Sequence, residues 1–422
     1  MLSADLPPPA RPEAPFPLGR RELVVMLALT QALQALAIDS ILPGLGELSR
    51  DLGAASGNQG QLVVGLFMIG IGLGALLPGP MADRFGRKRV LLACLLASSA
   101  ITLVCMLVQT IGQMLVLRFL SGLIFAGLAV IPPAVIRDRF DGDRMASLQS
   151  MIGVIFLVVP MVAPSLGQLI LLFVGWRWIF GFIALLGLAM TLWVGLRLPE
   201  TLDPTNRQRI DLRSIGRNMR EIMTTRASFG YVLGGTVSVG VLWGYIQSSQ
   251  QLVGDHFGAG HAFPLFFGGM ALAMAVANLA NSRIVERFGA RRVAHAALMV
   301  YIALALLQYH LAHQGTETLW QFVPVMTLTM MCMGFTGANF SAIALQPFAR
   351  MAGAASSVQT FVRNSLGGLI GAFIGQAYDG SARPFSSALV IGGAAILLLM
   401  LWSENGRLFR RLHPRGTRPP VA

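Results

Sequence analysis

The sequence predicts an all-α integral membrane protein with twelve transmembrane helices, arranged as two six-helix bundles related by pseudo-two-fold symmetry. Of its 422 residues, 55% are hydrophobic and only 12% are charged. The apolar residues form runs long enough to cross a bilayer, because a spanning helix needs about 20 residues. Two further observations, an internal repeat and the placement of the basic residues, divide the chain into halves and orient it.

The internal repeat is a short basic segment, residues 79–90, that lies between two long apolar runs. A similar segment, residues 282–293, follows 203 positions later. At that offset Asp83 aligns with Glu286, and the five other matching positions are identical: Arg84, Phe85, Gly86, Arg89 and Val90. Six matches in one order indicate an internal duplication. Parallel repeats of this kind are typical of secondary transporters.

The helices follow from the apolar runs, taken in chain order. The first run is too long for a signal peptide and lacks its small-residue cleavage site, so it is expected to stay in the membrane. The runs lie near residues 22–43, 59–79, 89–109, 113–135, 146–171, 176–197, 228–253, 263–284, 293–313, 319–346, 353–377 and 384–404.

The segments outside the runs complete the predicted organisation. Residues 1–21 contain six prolines and are expected to form a disordered cytoplasmic tail. Bundles at 22–198 and 228–404 flank a cytoplasmic linker, residues 199–227, and a basic cytoplasmic tail follows at 405–422. In the linker, apolar residues recur at helical spacing between arginines, which predicts an amphipathic helix on an anionic membrane surface. Its apolar positions are Leu212, Ile215, Met219 and Ile222, and its arginines are Arg209, Arg213, Arg217 and Arg220.

The basic residues set the predicted orientation. With the N-terminus inside, the outer loops hold only Arg50, Arg177 and Arg383. This bias places both termini in the cytoplasm, as in a multi-pass protein of a bacterial inner membrane. The net charge of +13 is therefore a property of topology, and no nucleic-acid partner is expected. Arg118 and Arg363 are exceptions, because they fall inside helices 4 and 11.

Residues 79–89, Gly-Pro-Met-Ala-Asp-Arg-Phe-Gly-Arg-Lys-Arg, resemble the signature loop of the major facilitator superfamily. The segments around Asp39, Arg118, Asp138 and Pro160 are similar to the bicyclomycin-resistance (Bcr/CflA-like) branch of the drug:proton antiporters. The resemblance implies the major facilitator fold and proton-coupled efflux of drug-like or amphipathic small molecules by alternating access.

The signature loop can be explained by the properties of its residues, and the resemblance implies a further role for it. Its two glycines permit tight turns, and its basic residues hold the loop at the cytoplasmic face. The loop is either only this topology anchor or also a conformational latch, because the resemblance implies that Asp83 meets the N-terminus of helix 11 near Gly353. Such a contact would favour the outward-open state. The latch residues are Gly79, Asp83, Arg84, Gly86, Arg87 and Lys88.

Helix 5 carries Pro160, Pro164 and Gly167, which interrupt a helix or let another helix approach. They resemble the antiporter motif of the drug exporters. Ala163 and Gln168 stand where that motif has glycine, so the implied role in blocking leak applies less directly here.

The candidates for proton coupling are Asp39 in helix 1 and Arg118 in helix 4. Helix 1 places Asp39 about 25 Å from its start, and Arg118 lies at a similar depth in helix 4. A charge pair between them would explain how each is tolerated, and separating the pair would change the protonation of Asp39. The alternative is that Asp39 is a helix-end residue in contact with water.

The candidate substrate cavity consists of polar residues inside the spans, since such residues are rare in a membrane interior. Arg363 either contacts an anionic or carbonyl group of the substrate or extends to the cytoplasmic interface. No metal site and no cofactor are expected. The cavity candidates are Gln31, Gln34, Gln247, Gln250, Asn278, Asn339 and Arg363.

Two transport functions fit these features. The first is proton-driven export of drug-like molecules; the second is a proton-coupled carrier for one metabolite class, such as purines or nucleosides, sugars or siderophores. A membrane-embedded enzyme is disfavoured, because the sequence has no His-Glu-x-x-His, no Gly-x-Ser-x-Gly and no pair of intramembrane acids. The expected partners are a small-molecule substrate, protons and the bilayer, and the protein is expected to be monomeric.

Overall fold

The structure is a computed structural model that describes residues 18–140, 142–203, 205, 207 and 212–409. Most of both predicted tails, residues 1–17 and 410–422, lies outside these ranges. The described chain is helical and confirms the predicted all-α membrane fold. The helices are α1 Arg20–Asp39, α2 Leu45–Asp51, α3 Gly57–Gly74, α4 Pro78–Phe85, α5 Arg87–Met106, α6 Ile111–Arg137, α7 Gly142–Val174, α8 Arg177–Arg197, α9 Leu212–Thr224, α10 Arg226–Gln250, α11 Phe263–Phe288, α12 Ala290–Gln314, α13 Leu319–Leu345, α14 Ala352–Gln376 and α15 Arg383–Ser403.

The spans of the described chain correspond to the predicted apolar runs. Ten of its helical segments are long and apolar enough to cross a membrane, and the pair α3 and α4, bent by 46°, adds an eleventh. The remaining predicted run is α14, which is 25 residues long. It is less apolar because it carries Gln359, Arg363 and Asn364 among its small and aliphatic residues. These polar residues also make α14 a candidate wall of a transport pathway.

The two copies of the repeated loop adopt the same turn. Gly86 ends α4 with a φ of 105°, and Gly289 ends α11 with a φ of 87°. Side chains other than glycine rarely adopt such angles, so both positions need glycine. In each copy the arginine three positions before the next helix lies over the neighbouring phenylalanine ring, at 5.1 Å for Arg84 and 5.4 Å for Arg287.

The halves meet mainly through α3 against α14 and α7 against α11. We call the end of the bundle that carries the repeated loops the basic end, and the other the opposite end. Gly72 lies against the backbone of Asn364 and Ser365, and Gly368 lies against Ile69. Glycine permits such close backbone approach in membranes. Beyond its bend, α4 packs on α5 and α6 of its own half. The interface between α3 and α14 therefore belongs to the opposite end.

The linker helix α9 packs on α10 and α14. Ile222 is fully buried, while Arg217 and Arg220 are exposed. A helix therefore covers part of the predicted linker, and part of its apolar stripe faces the C-terminal half rather than lipid. Arg209 and the side chains of Leu212, Arg213 and Ile215 lie outside the described part of the chain.

Candidate functional site

Asp39 lies at the C-terminus of α1, where the first span is interrupted. The Ser40 N–H still donates to Leu36, and a short 3-10 turn, Leu42–Gly44, separates α1 from α2. The Asp39 side chain is only 4% exposed. Within the described residues no hydrogen bond or ion pair reaches its carboxyl group. Asp39 is thus the last residue of α1, as the alternative expected, and its side chain is nearly enclosed in this conformation.

Arg118 is also buried, but it does not pair with Asp39 as the sequence suggested. Its Nε donates to the carbonyl of Val63 at 3.0 Å, and its Nη2 donates to the carbonyl of Ala37 at 2.9 Å. The guanidinium also lies 4.0 Å from the centre of the Phe67 ring. The predicted pair is replaced because Ala37 is in the last turn of α1, where carbonyls lack helical partners and carry partial negative charge.

Helix α7 brings the predicted antiporter motif against the same break in α1. A side chain at Gly167 would collide with the carbonyl oxygen of Ser40, so glycine is needed for this approach. Pro160 and Pro164 lie inside α7. On its other side α7 meets the C-terminal half, where Gly268 of α11 packs on the backbone of Met161. The motif therefore connects the surroundings of Asp39 to the interface between the halves.

The signature loop forms an ion network within its own half. Arg87 is 3% exposed; its Nη2 lies 2.6 Å from Asp83 and its Nε 2.8 Å from Asp138. The Arg87 N–H donates to Glu200 at 2.7 Å. Lys88 is half-buried and Arg84 is exposed, while Gly79 faces Val130 of α6.

Sequence reasoning missed the contributions of Asp138 and Glu200, which follow the fourth and sixth spans and are distant in the chain. The predicted contact of Asp83 with the N-terminus of α14 stays a prediction, because the side chains of residues 349–354 are not described. In this conformation Asp83 is paired with Arg87.

The predicted cavity residues do not form one cluster. Gln247 and Gln250 line a pocket at the opposite end. Asn339 of α13 donates to Asn281 of α11 at 2.8 Å, and Asn278 lies against Gly334, so these asparagines join helices of the C-terminal half. The half-buried candidates with no hydrogen bond or ion pair to the described part of the chain are Gln31, Gln34 and Arg363.

A set of amides that sequence reasoning missed ties the halves together at the opposite end. We call Asn58, Gln61, Gln251, Gln376 and Tyr378 the amide latch. Asn58 donates to the carbonyls of Gln376 at 3.1 Å and Tyr378 at 2.8 Å. Gln61 donates to Gln251, and the Tyr378 hydroxyl donates to the Gln251 carbonyl at 3.2 Å. The sequence could have pointed to this contact, because polar residues stand at the start of α3 and at the end of α14, and these two helix ends lie at the same end of the molecule.

No group of three His, Cys, Asp or Glu side chains in the described ranges is placed to hold a metal ion. The features that remain are two six-helix halves, a buried carboxyl group beside their interface and polar residues along the spans. Together they define a secondary transporter.

The chain belongs to the major facilitator superfamily, whose family model matches residues 27–372. A bicyclomycin resistance protein homolog of Haemophilus influenzae is 28% identical over 391 residues, which cover 90% of this chain and 94% of that protein. The multidrug resistance protein MdtL of Klebsiella pneumoniae is 28% identical over 325 residues, covering 76% of this chain and 80% of the relative.

Solved structures agree on the fold. A bacterial homolog of the human lysosomal transporter Spinster, solved in an inward-facing, unoccupied conformation, superposes with a TM-score of 0.70 at 16% identity, covering 93% of this chain and 96% of that one. A POT peptide transporter in complex with alafosfalin gives a TM-score of 0.71 at 14% identity, covering 90% and 93%. At these identities the likeness concerns the fold alone.

Proposed function

We propose that this protein is a proton-driven antiporter that exports drug-like molecules by alternating access. The observation that carries the proposal is the buried carboxyl group of Asp39, without a partner in the described chain and next to the break in α1. The relatives named for bicyclomycin and multidrug resistance support export of drugs as the direction and substrate class. We further propose that the transporter works as a monomer.

Asp39 is the proposed proton carrier. An ionised carboxylate buried without a partner is costly, whereas a protonated one is not. Gly167 and Ser40 place this group where α1 and α7 touch, and α7 in turn touches the C-terminal half. A rocking motion of the halves would therefore change the access of water to Asp39, so that proton uptake and substrate release alternate.

The basic end is proposed to face the cytoplasm, since arginine and lysine prefer that side. With the amide latch joining the halves at the opposite end, the described conformation corresponds to an inward-facing state. The membrane is then the bacterial inner membrane, with both termini in the cytoplasm.

Proteoliposomes containing the purified protein test this function. Chemically unrelated compounds, a cationic dye such as ethidium and several neutral antibiotics, are each added while lumenal pH is recorded. Proton flux that depends on several of these compounds supports the proposal. A response to purines, sugars or siderophores alone would instead identify a carrier for one metabolite class, and no proton flux with any compound would contradict proton-driven transport.

A further inference from the structure

A pocket of about 300 Å³ lies at the opposite end of the molecule, between the two halves. One wall comes from α2 and the start of α3, with Ser49, Arg50 and Gln61, and the other from the end of α10, with Gln247 and Gln250. Its volume is at the lower end of the range for small-molecule sites. The pocket adjoins the amide latch, because Gln61 belongs to both.

Two buried glutamines in this pocket have unused hydrogen-bonding capacity. Gln61 and Gln247 are each 1% exposed. Both amide atoms of Gln247 and the carbonyl oxygen of Gln61 lack a partner in the structure. Buried polar groups are otherwise almost always hydrogen-bonded, and leaving them unpaired is unfavourable. These three atoms, one donor and two acceptors, therefore offer a ligand both kinds of hydrogen bond.

The backbone around Gln247 is shaped to hold that side chain in place. Its amide lies against Gly65 of α3 and Gly371 of α14, and its Cβ faces Gly375. A side chain at Gly65 or Gly371 would crowd the Gln247 amide, whereas one at Gly375 would collide with the carbonyl oxygen of Gln61. The amide of Gln247 is thus held at the contact of α3, α10 and α14, the three helices that close this end.

The charges in the pocket balance. Arg50 and Asp255 contribute one positive and one negative group at its rim, both exposed to solvent, and Asp255 also interacts with Gln250. The uncharged polar groups of the lining are serine and glutamine, set among leucine, alanine and glycine, and these groups recognise donors and acceptors rather than charge. A neutral ligand therefore fits this pocket better than an anion or a cation.

We propose that this pocket is an exit subsite that binds small uncharged compounds through amide or hydroxyl groups. The inference rests on the proposed export function and adds a substrate class to it. The ligand would bond to the carbonyl oxygen of Gln61, while the Nε2 of the same side chain donates to Gln251, so the subsite shares a side chain with the amide latch.

Equilibrium binding to the full-length protein in lipid nanodiscs tests the proposal. The probe is radiolabelled N-acetyl-leucinamide, which is uncharged and carries amide donors and acceptors. The competitor is its N′,N′-dimethyl amide, which lacks the two terminal donors. We expect saturable binding that falls by about tenfold or more in Gln247→Met and Gln61→Met, each of which keeps side-chain length but removes the amide.

The matched control is Gln109→Met, since Gln109 is an exposed glutamine far from the pocket in sequence that bonds only locally, to Leu107 and Gln113. It should bind the probe as the wild type does, and the dimethyl amide should compete about tenfold more weakly than unlabelled probe. Absence of saturable binding, equal binding in all variants or equal competition by the dimethyl amide would each overturn the proposal.

The same wild-type and variant proteins, reconstituted into proteoliposomes and tested for ethidium-dependent proton flux, separate the two proposals. Proton flux without amide binding rejects the exit subsite and leaves the export function standing. Amide binding without proton flux from any compound rejects proton-driven export. Gel filtration of each variant checks that it is folded, and the two methionine variants provide independent readings of one site.

Discussion

The two halves share the repeated turn but use their charges differently. At the basic end of the N-terminal half, the buried Arg87 binds two partly exposed acids, Asp83 and Asp138. In the C-terminal half Arg291 donates to Glu404 at 2.8 Å and to Gln346 at 2.9 Å. The shared backbone shows what the turn requires, while the different partners show that the charges are free to take separate roles.

The membrane interior shows a second difference between the halves. Arg118 of the N-terminal half is held by two backbone carbonyls and a phenylalanine ring. Arg363 of the C-terminal half is half-buried and has no hydrogen bond or ion pair to the described residues. We infer that Arg118 stabilises the structure around Asp39, whereas Arg363 is available to a substrate.

The largest effect is expected at the buried carboxyl group. Asp39→Asn keeps the shape of the site but removes the titrating group, so proton flux driven by substrate in proteoliposomes should fall to the level of empty liposomes. Glu47→Gln, a half-buried acid in the same half, is the control and should transport normally. If Asp39→Asn still couples export to the proton gradient at the normal rate, the proton carrier is another residue.

Replacing each of the two intramembrane arginines should change the stability of the protein by different amounts. Arg118→Met leaves the carbonyls of Ala37 and Val63 without their donor, and we expect a loss of about 3 kcal/mol in unfolding free energy. Arg363→Met breaks no bond seen in the described chain and should cost less than about 1 kcal/mol, while changing which compounds are exported. Thermal unfolding in nanodiscs and a transport panel measure both. Equal destabilisation would remove the distinction between the two arginines.

The repeated loop offers a matched pair of acids, Asp83 and its counterpart Glu286. If Asp83 also binds the N-terminus of α14 in the outward-open state, that contact contributes about 0.3–1 kcal/mol. Asp83→Asn should then shift the population about two- to fivefold towards the inward-facing state. The readout is maleimide labelling of a cysteine at Ser341 in a background without native cysteines. Glu286 is exposed, so the Glu286→Gln control should leave labelling unchanged. If Asp83→Asn is labelled to the same extent as this control, the loop is only a topology anchor.

The smallest expected effect is on the pH dependence of stability, through Glu404 of the C-terminal half. Burial raises the pKa of Glu404, but hydrogen bonds from Tyr231 and Arg291 outweigh it, so the pKa lies below its ordinary value. The bonds therefore add stability that is complete above the ordinary pKa and is lost as pH falls through the lowered one. We expect Glu404→Gln to cost roughly 1 kcal/mol at pH 7 and to flatten the fall in unfolding temperature below pH 5. A pH profile parallel to that of the wild type would contradict this assignment.

Several local features could be predicted from the sequence because their causes lie close together in the chain. Apolar runs of bilayer length specified the spanning helices, and the glycines at 86 and 289 specified the turns between them. The close approach of another helix at Gly167 was also expected from residue type, but the sequence left open whether Asp39 is enclosed or in contact with water. The roles of these residues in transport stay predictions.

Tertiary structure alone decided which partners each charge and amide finds. The depth of Arg118 suggested a pair with Asp39, yet the orphan carbonyl at the end of α1 binds it instead, because helix breaks expose partial charges that residue spacing does not reveal. The amide latch and the pocket at Gln247 combine residues that lie up to 320 positions apart. Such contacts depend on how the two halves are tilted against each other, and an individual span's sequence pattern specifies its lipid-facing and buried sides but not that tilt.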